Sequence, residues 1–238
     1  FNYEDNNFKT VWEKIIKDLS DKCDLIFLNK NPEFIASRHN PLINSKYKYY
    51  QKSYQLNLNK FDYNNFYNNK NNSKSKQTDR RKEKKLNYNN DLTYSYENLN
   101  YTNFRLVQEL VSEKMLSYQS KKEKTFNYEN IVNQYKELIS RKNSDYKFNL
   151  SILKKNNKKI SSILGVIFNG VYYYLIPLTH RSEFKKLSPG RFHIMNLINW
   201  SIGNNIQSID FTAGDEPYKY NWSNNDFKMF YYIKPLSL

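Results

Sequence analysis

Two short stretches hold most of the residues able to do chemistry. In the C-terminal part, Asp210-Phe211-Thr212-Ala213-Gly214-Asp215-Glu216-Pro217-Tyr218-Lys219 gathers three carboxylates, a phenol and an ammonium. It continues Ser208 to Thr212, which carries Ile209 and Phe211 and reads as a buried strand. Polar groups at the end of such a strand point into a crevice, where ligands bind. Asp210 or Glu216 suits a general base acting on an attacking amine. Lys219 or Tyr218 suits orienting a carbonyl or phosphate, or protonating a leaving thiolate. A salt-bridged turn with Asp215 and Lys219 in water accounts for the same residues equally well.

The second stretch is Leu187-Ser188-Pro189-Gly190, followed by a helical pattern from Phe192 to Ile202. A strand end, a glycine turn and a helix start together make an anion site, because free backbone N–H groups and the positive helix end face outward. Gly190 lets the backbone come close to a ligand. Ser188 suits the cap of this helix and Pro189 its first turn. An ordinary well-capped helix would carry the same residues. Other candidates are His180 and Arg181 after an apolar segment, the lone residues His193 and Tyr118, and the run Lys74, Lys76, Arg80, Arg81, Lys82, Lys84, Lys85. That run either binds phosphates of a cofactor or RNA, or is a solvated charged helix.

The elements that must position these groups follow from apolar spacing. Asn7–Leu19 has helical periodicity, Asp24–Leu28 reads as a short buried strand, Asn31–Pro41 as a loop, and Tyr47–Leu58 as a partly alternating strand. Phe61–Leu86 is a basic polar helix or linker. Beyond it come a strand at Leu86–Tyr96 and helices at Tyr101–Gln119 and Tyr128–Arg141. Strands follow at Lys147–Leu153, Lys159–Phe168 and Val171–Thr179. Asn156-Asn157 and Asn169-Gly170 between those three strands are hairpin signals, so an antiparallel meander is expected. A last strand spans Phe227–Ile233. This order gives a mixed α+β (α/β) class rather than a doubly wound parallel sheet.

The formal charge of +15 attracts polyanions, although lysine enrichment on a solvated surface also accounts for it. The single cysteine, Cys23, rules out an intrachain disulfide and a cysteine-rich metal site, and fits a reducing, cytoplasmic compartment. The three histidines have no metal-ligand spacing, so no metal is expected. No apolar run reaches the roughly 18 residues of a membrane span.

From about Arg80 to Ile233 the chain resembles the CelD-like branch of the GNAT superfamily, acetyltransferases associated with cellulose biosynthesis. The resemblance rests on Arg80-Arg81-Lys82, Lys85-Leu86, the helix around Lys114, Tyr172-Tyr173-Tyr174-Leu175-Ile176-Pro177, Leu187-Ser188-Pro189-Gly190 and Asp210 to Lys219. It implies a GNAT fold, with a mostly antiparallel mixed sheet splayed near its middle. It also implies an acyl-CoA (acetyl-CoA) co-substrate whose pyrophosphate meets Ser188, Pro189, Gly190, Arg191 and His193. Asp210, Glu216, Lys219 and Tyr218 become the catalytic candidates. Arg80, Arg81, Lys114, Tyr174, His180 and Asp215 become candidates for substrate binding, with a small-molecule, glycan or peptide acceptor. Residues 1–60 are then an extension or the remnant of a preceding GNAT-like half, 61–86 the basic segment and 87–238 the acyltransferase domain. Fem-type aminoacyl transferases are related in fold, and their Phe-Lys motif is similar to Tyr218-Lys219, so tRNA is a second possible partner. The usual GNAT phosphate loop, Arg/Gln-x-x-Gly-x-Gly/Ala, is reduced here to Pro189-Gly190.

Overall fold

The computed structural model describes residues 5–35, 38–40, 43, 47–119, 127–141, 145–180 and 183–236. Part of the loop expected at Asn31–Pro41, and Arg181, lie outside the described residues. In chain order the elements are α1 (Asp5–Leu19), β1 (Leu25–Pro32), β2 (Phe34–Ile35), β3 (Arg38–His39), β4 (Lys48–Asn57), α2 (Tyr63–Lys70), α3 (Ser73–Leu86) and β5 (Leu92–Asn98). They continue with α4 (Arg105–Gln119), α5 (Tyr128–Ser140), β6 (Tyr146–Lys155), β7 (Lys158–Phe168), β8 (Val171–Thr179), α6 (Pro189–Gly203), β9 (Ser208–Ala213), α7 (Pro217–Asn221) and β10 (Asn225–Pro235). The class is mixed α+β, as the element order predicts.

The chain forms two compact units, one of residues 1–55 with 213–238 and one of residues 56–212. In the smaller unit β10 pairs antiparallel with both β1 and β4. Its core joins Ile26, Tyr47 and Tyr232 to Trp12, Ile16 and Leu19 of α1. Tyr47 stacks on Tyr232 with ring centroids 4.6 Å apart. Only Ile26 of β1 is buried, so the expectation of a wholly buried strand there is corrected. The expected loop after it includes the short β2–β3 hairpin.

In the larger unit β5, β6, β7 and β8 form an antiparallel ladder. The hairpin signals are borne out. Asn156, Asn157, Asn169 and Gly170 all have positive φ, the geometry that two-residue hairpin turns require. One layer of side chains beneath this sheet packs Val107, Leu110 and Val111 of α4 and Val132 of α5 against Phe148, Leu150, Ile152, Leu164 and Leu178. Another joins Leu86 of α3 and Phe192 of α6 to Leu153 and Ile160. The basic segment, open between helix and linker in the sequence, is two helices. Leu86 closes α3 and does not open a strand. Its burial against Phe192 outweighs the alternating pattern that follows it.

A register shift between Leu164 and Gly165 sets an extra residue, Leu175, into β8. The ring of fully buried Tyr172 lies where a Cβ on Gly165 would stand, 2.2 Å from its Cζ. Gly165→Ala must therefore push a buried ring aside. We expect a loss of about 2–3 kcal/mol in urea unfolding, with an unchanged denaturant slope. A neutral result would mean that the ring has room to move.

Candidate functional site

β8 enters a parallel pairing with β9 through three rungs, Val171–Ser208, Tyr172–Ile209 and Tyr173–Asp210. Beyond them β8 runs on to Thr179 with no further rung to β9. The two strands therefore part after Tyr173. Asp210 stands at the last rung, half-buried, and its Oδ1 accepts a hydrogen bond from the Thr212 N–H at 2.7 Å. Thr212 has φ 61, so the carboxylate holds a left-handed turn at the strand's end. Burial raises the Tyr173 phenol, and the nearby Asp210 carboxylate adds to the rise.

The far end of β8 meets the start of α6. A Cβ on Gly190 would lie 3.0 Å from Thr179 Oγ1, so glycine is what allows this approach. α6 begins at Pro189, three residues earlier than the apolar pattern indicates, because proline's fixed φ and missing N–H suit a first helical position. Ser188 occupies the cap position in a left-handed conformation, φ 60, but its hydroxyl does not bond a helix N–H, which corrects the expected capping. It accepts instead from Lys82 Nζ on α3, at 2.8 Å. An ammonium thus lies beside the positive end of a 15-residue helix, where Pro189 has no N–H, the Arg191 N–H donates to the Ser188 carbonyl at 3.0 Å and the Gly190 N–H is left for a ligand.

Arg191 is committed elsewhere. Its Nε and Nη2 donate to Asp79 of α3 over three contacts of 2.7–3.0 Å, and Nη2 also reaches Asn71 Oδ1 at 2.7 Å. The Tyr67 hydroxyl donates to the same carboxylate at 2.6 Å. Asp79 is buried, so this fork clamps α2 and α3 to the first turn of α6.

His193 turns its ring inward and is fully buried. Ser151 Oγ meets its Nε2, and Ser161 Oγ meets its Nδ1 at 2.9 Å. A hydroxyl can donate or accept, so the pair satisfies a neutral imidazole with one N–H. Burial, aided by electrostatic interaction with His180, lowers its pKa to about 3. Since an unfolded histidine titrates near 6.5, this contribution to stability is complete above that pH and is lost as pH falls toward 3. The slope is about 1.4 kcal/mol per pH unit within that window. Denaturant unfolding of the wild type and of His193→Gln between pH 7 and pH 4 should give curves that converge on acidification. Parallel curves would contradict the buried neutral ring.

The remaining candidates are dispersed. His180, buried just past β8, pairs through Nδ1 with Glu113 Oε2 at 2.6 Å and through Nε2 with Ser162 Oγ at 2.8 Å. Lys114 donates to the Pro177 carbonyl at 2.7 Å and lies over the Tyr118 ring. The Glu113–His180 and Lys114–Pro177 contacts fasten α4 to the end of β8. Tyr174 is buried with its ring edge-on to Phe211, and Arg80 and Arg81 are exposed on α3. In the smaller unit Lys219 is buried, donating to the Ala213 carbonyl at 2.8 Å and pairing with Glu216 at 3.0 Å. Gly214, at φ +139, leaves these two side chains their space. Asp215 is exposed and Tyr218 half-buried in the same segment.

Asp79, Asn71, Glu113, Ser161 and Ser162 were missed as partners. One signal was available for Asp79: Asp79, Lys82 and Leu86 are spaced three and four residues apart, which places them on one helical face.

The family model for the acetyltransferase (GNAT) domain matches residues 73–220. The chain belongs to that family. This GNAT domain shares its fold with several solved structures. FemX matches at TM-score 0.62 and 11% identity, covering 97% of this chain and 77% of that one. L-PGS from Bacillus licheniformis matches at 0.57 and 10%, covering 93% and 71%. A tandem GNAT protein from the clavulanic acid biosynthesis pathway matches at 0.51 and 8%, covering 97% and 70%. Among the curated proteins, none matches. No helix among the described residues is long and apolar enough to cross a membrane. Family and fold support an acyltransferase, and an acceptor is expected of it.

Proposed function

We propose that this GNAT domain moves an acyl group from acyl-CoA to an amine or hydroxyl acceptor. The observation that carries this reading is the parting of β8 from β9, with the start of α6 and the Lys82 ammonium at the far end of β8. The residues present fit a diphosphate. Gly190 offers a backbone N–H, Lys82 a cation and Ser188 a hydroxyl, while the nearby Asp79 carboxylate is neutralised by Arg191. The donor's phosphates would rest there and its thioester would reach along β8 toward Tyr173. The acceptor's nitrogen or oxygen attacks the thioester carbon and the C–S bond breaks. Asp210, at the last rung, takes the acceptor's proton, and the thiolate leaves and takes up a proton from water to become the free thiol. Glu216 and Tyr218, within the smaller unit, are separate sequence candidates for proton transfer. Lys219, held by Glu216 and Ala213, supports the segment that carries them.

The CelD-like resemblance favours an acceptor from cell-envelope or polysaccharide metabolism. Release of free CoA thiol from acetyl-CoA, screened against amino sugars, polyamines and short glycans, tests the reaction. Acceptor-dependent release that falls at least tenfold in Asp210→Asn supports it. Release equal in wild type and variant would remove Asp210 from the mechanism. Transfer seen only with an aminoacyl-tRNA would replace the donor.

A further inference from the structure

The clamp and the donor site use one face of α3, the face of Asp79, Lys82 and Leu86. The opposite face is unused by both. Arg80, Lys84 and Asn87 recur there at four- and three-residue spacing, which puts them on adjacent helical turns. With Glu83 and Tyr88 they line an open groove of about 440 Å³. Tyr88, two residues past the helix, is 77% exposed. Arg81, Lys74 and Lys85 are exposed on the same helix. Asp79, one of its two carboxylates, is already taken by Arg191.

We propose that this groove binds single-stranded nucleic acid. A bare aromatic ring beside a row of cations is the combination such ligands require, because phosphates need charge and unpaired bases need a face to stack on. Arg80 and Lys84 take the backbone phosphates. Tyr88 stacks one base, and a volume of about 440 Å³ accommodates roughly one nucleotide. The Glu83 carboxylate repels phosphate, so it confines the backbone to the Arg80–Lys84 side. With Asn87 it accepts hydrogen bonds from base amino groups. A duplex has no unpaired base to offer the ring. An anionic membrane fits poorly, since a surface-bound helix needs an apolar face and the one apolar residue of α3, Leu86, is buried in the core. This groove lies on the opposite face of α3 from the donor site and stands whichever acyl donor is used.

Fluorescence anisotropy with a labelled single-stranded RNA of about 12 nucleotides, at about 50 mM salt, tests the proposal. Binding should weaken steeply as salt rises. Tyr88→Ala should weaken it about tenfold and Tyr88→Phe should leave it unchanged. Arg80→Glu with Lys84→Glu should weaken it at least tenfold, whereas the same charge change at exposed Lys14 and Lys17 of α1 should alter it less than threefold. Circular dichroism checks that each variant is folded. The proposal is overturned if Tyr88→Ala binds like the wild type, or if the α1 reversal costs as much as the groove reversal. It is equally overturned if a duplex of the same length competes as well as the single strand, or if only anionic vesicles are bound.

Discussion

Gly190→Trp is expected to lower acetyl-CoA affinity at least a hundredfold, a change of about 2.7 kcal/mol. Gly190 sits in the first turn of α6, close enough to Thr179 that even a methyl group would stand 3.0 Å from its hydroxyl. An indole at this position covers the Gly190 N–H and the helix end that a phosphate needs. Lys82→Ala removes the neighbouring ammonium but leaves the backbone, so its loss should be smaller, about tenfold. The ordering matters: a Lys82 effect larger than that of Gly190 would place the phosphates on α3 rather than at the helix start. Thermal unfolding of both variants checks that the fold survives, and titration calorimetry gives the affinities.

The second large effect is on stability. Asp79→Ala should destabilise the larger unit by about 3–5 kcal/mol and lower its thermal midpoint by roughly 10 °C. The cost comes from what is left behind. Arg191 keeps its charge in a half-buried site without the carboxylate that receives three of its hydrogen bonds, and the Tyr67 hydroxyl loses its acceptor. Replacing both members, as in Asp79→Leu with Arg191→Met, should cost less than the sum of the single changes, because no charge is stranded. Additive losses in urea unfolding would show that the fork is not a coupled pair.

The fold was largely legible in the sequence because its strongest signals are local. The Asn-Gly and Asn-Asn pairs sit in positive-φ turns, and the apolar stripes of α4 and α5 face one shared core. Boundaries failed where packing overrode pattern. Leu86 looks like the first residue of an alternating strand, yet its contact with Phe192, far along the chain, makes it the end of a helix. The candidate site was legible in part. Pro189-Gly190 marked the helix start, and Asp210 marked the strand end. The fate of the charged groups was not legible. Arg191 and His193 look alike in sequence as polar residues opening a helix. One is consumed by Asp79, more than a hundred residues away, and the other by two serines on neighbouring strands. Such pairings depend on which faces the tertiary fold brings together, and no local spacing encodes them. Lys82 emerged as a partner of the site for the same reason. The segment holding it reads as one undivided basic run until Asp79 and Leu86 fix which side of the helix faces inward.

Isothermal titration of acetyl-CoA and of CoA into the purified chain tests the central claim most directly, with Gly190→Trp run alongside. Binding at about micromolar affinity that the variant loses is the predicted result, and it would fix the donor's phosphates at the start of α6. Heats no different from dilution up to millimolar CoA, in a chain shown to be folded, would contradict the acyl-CoA reading and transfer its weight to an aminoacyl-tRNA donor.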